Sequence, residues 1–126
     1  MVNLSANIKE RIERCVAGHD GPRYPIDDEA RSHGAIALMG TIGVIWGLRP
    51  DGTFWRFDED FDVPLSPLPE DRELEAIVWG VERHTWLSEL LPPKPTNAVS
   101  CSFCHGQVKF GVMLCPTCRG LGWVVP

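Results

Sequence analysis

The residues best placed to do chemistry are four cysteines near the end of the chain. They read Cys101-Ser-Phe-Cys104 and Cys115-Pro-Thr-Cys118, the pattern C-x-x-C…C-x-x-C. Each pair can turn two sulfurs toward one ion, so the four predict a tetrahedral thiolate site for a single Zn2+. Iron and a redox dithiol are the alternatives the same spacing allows. A catalytic zinc needs an open coordination position, and four cysteines leave none, so the site reads as a structural staple. His105 adjoins Cys104 but is not needed as a ligand. Gly106 and Gly120 hold matching places two residues past Cys104 and Cys118. There a glycine frees the turn and lets backbone N–H groups reach the sulfurs.

Other chemical candidates are weaker. Asp58, Asp60 and Asp62 have the spacing that opens a calcium loop. Val63 stands where that loop needs glycine and Pro69 where it needs glutamate, so calcium is not expected. With Glu59, Phe61 and Trp55, these acids read as an acidic, aromatic surface that could meet a protein partner. His19, His33 and His84 lack a nucleophile in evidence, and His84 reads as a polar-face or boundary residue. Cys15 reads as a small core hydrophobe rather than a reactive thiol. No catalytic residue is assigned.

The Cys115-Pro-Thr-Cys118-Arg-Gly120-Leu-Gly122 segment resembles the C-x-x-C-x-G-x-G repeat of the DnaJ-type cysteine-rich zinc domain. Cys101-Ser-Phe-Cys104-His-Gly106-Gln-Val108 resembles it too, with Val108 in place of the last glycine. The resemblance covers about residues 101–122. That family carries four repeats and two zinc ions; two repeats here imply one ion. No His-Pro-Asp signature of a J-domain occurs. The resemblance therefore implies the four ligands, with a chaperone or thiol-redox accessory role as the alternative function. The whole layout, with Leu48-Arg-Pro-Asp-Gly52, Leu90-Leu-Pro-Pro93 and the terminal Gly-Leu-Gly-Trp123, is also similar to small bacterial proteins.

The elements that must carry these residues make an α+β chain. Ser5, the apolar stripe Ile8, Ile12, Cys15 and Val16, and Gly18 predict an N-terminal helix over 5–17. Residues 18–27 read as a loop, with a short helical turn near Asp27-Asp28-Glu29. Residues 41–58 predict an antiparallel hairpin about the turn Arg49-Pro50-Asp51-Gly52, and 35–39 suggest a further strand. A second helix begins near Glu70, with Leu74, Ile77, Val78 and Val81 on one stripe. It persists or restarts after His84. Pro92, Pro93 and Pro95 make a stiff spacer. The expected organisation is an acidic α+β body at 1–91, a linker at 92–100 and a zinc-ribbon-like tail at 101–126.

The chain has 126 residues, 44% of them apolar, which fits a globular protein. The N-terminus has no signal-peptide run and no segment is long enough to span a membrane. Five cysteines, four of them paired in motifs, suit a reducing compartment, so a cytoplasmic location is expected. All 17 acids lie in the body against nine Lys and Arg, a balance of -8. The tail carries Lys94, Lys109 and Arg119 and no acid. A body of that charge repels phosphate backbones and disfavours nucleic acid as a partner. It favours a basic protein partner, as for a bacterial immunity or antitoxin-like protein that masks its target.

Overall fold

The structure is a computed structural model that describes residues 1–41, 43–58, 66–110 and 113–126, with backbone alone at 41, 58 and 110. The chain divides into two compact units, Met1–Leu90 and Leu91–Pro126. No helix among the described residues is long and apolar enough to cross a membrane.

The first unit opens with α1 (Ala6–Val16). Ser5 caps it as expected: its hydroxyl oxygen accepts the Ile8 N–H at 3.2 Å. Gly18 follows at φ 81°, a left-handed turn that ends the helix. Ile8, Ile12 and Cys15 form the buried stripe.

The predicted loop is shorter than 18–27, because α2 runs from Pro25 to Ser32. Proline suits a first helical position, where no N–H partner is needed. The Asp27 carboxylate reaches back to accept the Tyr24 N–H at 3.0 Å. The expected turn at Asp27 is thus the inside of a helix.

Four antiparallel strands follow as a simple meander: β1 (Ile36–Thr41), β2 (Val44–Leu48), β3 (Phe54–Asp58) and β4 (Ser66–Pro67). The expected strand at 35–39 is β1, and it takes Thr41, which the sequence pattern had placed in the next strand. The predicted turn joins β2 to β3. The Gly52 N–H donates to the Arg49 carbonyl at 3.0 Å, and Gly52 sits at φ 86°. Across the hairpin Ile45 faces Phe57 and Leu48 faces Phe54.

Helices cover this sheet where small residues let them approach. Ala30 of α2 packs with Ala35, Ala37, Ile45 and Phe57. A Cβ on Gly40 would lie 3.2 Å from Ile26 of that helix. After a 3-10 turn at Glu70–Arg72, α3 (Glu73–Arg83) brings Gly80 against Leu38 of β1. The buried face of α3 is Ala76, Ile77 and Gly80; of the expected stripe Ile77 is buried, while Leu74, Val78 and Val81 are half-buried at its edges. The helix ends at His84, and a separate 3-10 turn at Thr85–Leu90 buries Leu87.

The second unit contains two short ladders. β5 (Val99–Ser100) pairs with β8 (Trp123–Val124), and β6 (Lys109–Phe110) pairs with β7 (Met113–Leu114). Its core is the cysteine cluster with Val124 against it.

Candidate metal centre

The two C-x-x-C segments fold into knuckles with the same hydrogen bonds. In the first, the His105 N–H donates to Cys101 O at 3.0 Å and the Gln107 N–H to Cys104 O at 2.9 Å. In the second, the Arg119 N–H donates to Cys115 O at 2.8 Å and the Leu121 N–H to Cys118 O at 3.1 Å. Each knuckle then closes on the other. The Cys115 N–H donates to Val108 O at 2.8 Å, and the Cys101 N–H to Gly122 O at 3.0 Å. The halves are therefore related by a local two-fold that pairs Cys101 with Cys115, Cys104 with Cys118 and Val108 with Gly122.

The backbone at the turns is left-handed. His105 and Arg119 sit at φ 51° and 57°, and Gly106 and Gly120 at 83° and 88°. Gly122 sits at 84°, and Val108 occupies the equivalent place at 59°. This conformation brings N–H groups of Gly106 and Val108 onto the Cys104 sulfur, and those of Gly120 and Gly122 onto the Cys118 sulfur.

All four cysteines are buried, and their sulfurs lie within 4.8 Å of one another. Cys101 and Cys115 sulfurs are 3.8 Å apart and Cys104 and Cys118 sulfurs 3.7 Å. Four sulfurs about 2.3 Å from a central ion stand about 3.8 Å apart in a tetrahedron. The donor set thus fits one tetrahedral ion that prefers thiolates. Without one, the thiols share their protons unequally. Burial opposes ionisation of Cys104, but the Val108 and Gly106 N–H groups and the Cys101 and Cys118 thiols outweigh it and bring the group down to about 6. Burial and the neighbouring thiols push Cys118 up to about 11. His105 is exposed and outside the cluster.

The other predicted residues do not join this site. Trp55 is half-buried in the first unit: its indole N–H donates to Thr53 Oγ1 at 2.8 Å, and the Arg49 guanidinium lies 4.4 Å from its ring. Asp58 ends β3 opposite Val44. Glu59, Asp60, Phe61 and Asp62 lie outside the described residues. Of the histidines, His33 has a carboxylate in reach, Glu29 at 3.3 Å, and stacks on Phe57. That pair is one turn of α2 and lines neither of the two cavities below.

His84 corrects the boundary reading. It is 3% exposed, and its Nε2–H donates to Ala37 O at 3.1 Å. Burial pushes its pKa down, with Arg83 adding to the effect, while the Ala37 carbonyl opposes it. With Cys15, Asp27 and Arg31 it lines a cavity of about 10 Å³, room for one water. The Cys15 thiol is pushed up by burial first and then by Asp20, as suits an inert core cysteine. Asp27, 4% exposed, pairs through both carboxylate oxygens with Arg83 Nη2 at 2.6 and 2.7 Å.

Two features escaped the sequence reading. An open cleft of about 430 Å³ lies between α1 and the 85–90 turn, with Arg11, Arg14, Trp86 and Glu89 among its walls. In the second unit Val99, Phe103, Met113 and Val125 are exposed. Hydrophobicity alone does not tell such residues from core residues. Compared with known protein families, curated proteins and solved structures, the chain matches none.

Proposed function

We propose that this chain is a non-enzymatic protein-interaction module whose second unit is stapled by one Zn2+. The observation that carries the reading is the set of four buried sulfurs at tetrahedral spacing, which leaves no position for substrate. Zinc is the ion because a closed four-thiolate site without redox duty is its commonest use. Among the described residues, four of the six exposed large hydrophobic side chains belong to the second unit, which supports contact with a protein. The -8 balance of residues 1–91 supports a basic partner, captured fast through opposite charge. A bacterial immunity-type protein that binds and masks a toxin is the specific form of this reading.

The test is affinity capture from the native host's lysate at low and high salt. One basic protein retained stoichiometrically and released by salt is the expected result. Zinc-loaded bait that retains no protein contradicts it.

A chaperone or thiol-redox accessory role is the second reading. It is favoured by the two C-x-x-C-x-G turns, similar to the DnaJ-type repeat, and by sulfurs 3.7 and 3.8 Å apart. Cys-to-Ser variants that stay folded yet lose holdase or reductase activity would favour it over the staple.

A further inference from the structure

We propose that the metal centre opens from one end: the Cys101–Cys104 knuckle releases first, and its two sulfurs are where electrophiles modify the protein. This inference rests on the zinc-stapled reading.

The two knuckles are related by a local two-fold. The backbone hydrogen bonds that reach the sulfurs and close the two knuckles come in matched pairs, and the Lys109 N–H to Gln107 O bond at 2.7 Å, which spans Val108, stands outside that pairing. Matched ligands in matched turns should open equally often. His105 and Arg119 are both non-glycine residues at left-handed φ, so their strain cancels between the halves. Val108 and Gly122 do not cancel. Glycine adopts φ 84° freely, whereas valine at φ 59° is a β-branched residue forced into the left-handed region.

That strain is tied to the first knuckle. The Val108 N–H bonds the Cys104 sulfur and the Val108 carbonyl holds the Cys115 N–H. Were Cys104 to leave a bound ion, Val108 would lose the sulfur that anchors its N–H and could relax toward negative φ, while its carbonyl bond to Cys115 and the Lys109–Gln107 bond that spans it hold until then. No such relief accompanies loss of Cys118, because Gly122 is unstrained. The left-handed penalty for an L-residue corresponds to roughly tenfold in the opening equilibrium. The first knuckle is thus favoured to open by about that factor.

The opened thiolate is a nucleophile. With N-ethylmaleimide as probe, the sulfur adds to the carbon–carbon double bond, a new S–C bond forms, and the adjacent carbon takes a proton from water. The alkylated sulfur would no longer serve as a thiolate ligand.

The experiment is limited labelling of the zinc-loaded full chain with N-ethylmaleimide, mapped by peptide mass spectrometry. Wild type should label at Cys101 and Cys104 roughly 10-fold faster than at Cys115 and Cys118. Val108→Gly should label slowly and evenly. Val108→Gly combined with Gly122→Val should reverse the order. The double change has room, since a Cβ at Gly122 would lie 3.4 Å from the Val108 Cγ1 that the first substitution removes. If the double variant does not fold, Val108→Gly decides alone, because glycine suits that backbone. Even labelling of zinc-loaded wild type, or an unchanged bias in Val108→Gly, overturns the inference and leaves the staple standing. A wild-type chain that takes up no zinc overturns both.

Discussion

His84 shows how far a residue's chemistry can depart from its sequence surroundings. It follows the end of a charged helix, yet its hydrogen-bond partner Ala37 lies 47 residues away and its ring is buried. Helical periodicity carries no trace of such a contact. Its lowered pKa means the unfolded state binds the proton more readily than the folded one. The stability this contributes is full above the unfolded value of about 6.5 and is lost as pH falls below it. The groups facing it from neighbouring elements are Cys15, Asp20, Asp27, Arg31 and Arg83. Urea unfolding followed by helix circular dichroism should therefore show stability falling from pH 7.5 to 5.5, with a shallower fall in His84→Gln. Equal slopes would contradict this. The Asp27–Arg83 pair is likewise invisible in sequence, since its members are 56 residues apart. Asp27→Ala would strand a partly buried guanidinium and remove the α2 cap, costing about 2–3 kcal/mol in the same assay. By contrast, the four cysteines were legible because their spacing is itself the geometry of a metal knuckle.

Among the elements, those closed by local chemistry were readable. Ser5 and Gly18 bound α1, and Arg49 to Gly52 make the β2–β3 turn, because each signal acts within a few residues. What depended on tertiary packing was not. The face α3 buries is chosen by Leu38 and Leu87, which sit where Gly80 lets them approach. β4 is two residues long and ends in proline, so its sequence has no strand period. Gly47 shows the same principle within the sheet. A Cβ there would lie 2.6 Å from Phe57, 3.1 Å from the Ala35 side chain and 3.2 Å from the Ile36 carbonyl oxygen. Gly47→Ala should cost about 1–3 kcal/mol by overpacking, although alanine normally suits a strand better than glycine. A neutral result in urea unfolding would contradict the packing described.

For the whole molecule, composition indicated a mixed-class chain with an acidic body and a metal-dependent tail, and left the partner open. Among the described residues, the second unit has little core beyond the cysteines, Leu114 and Val124. On the proposed reading, metal binding supplies much of its folding free energy. Chelation should abolish the ordered amide signals of residues 91–126 in NMR spectra while those of α1–α3 persist, and added zinc should restore them. Loss of both sets together would contradict independent stability of the first unit. Native mass spectrometry of the freshly purified chain, with elemental analysis, should give one zinc per molecule, bound through four thiols that react only after chelation. A chain free of metal whose four thiols react at once would contradict it.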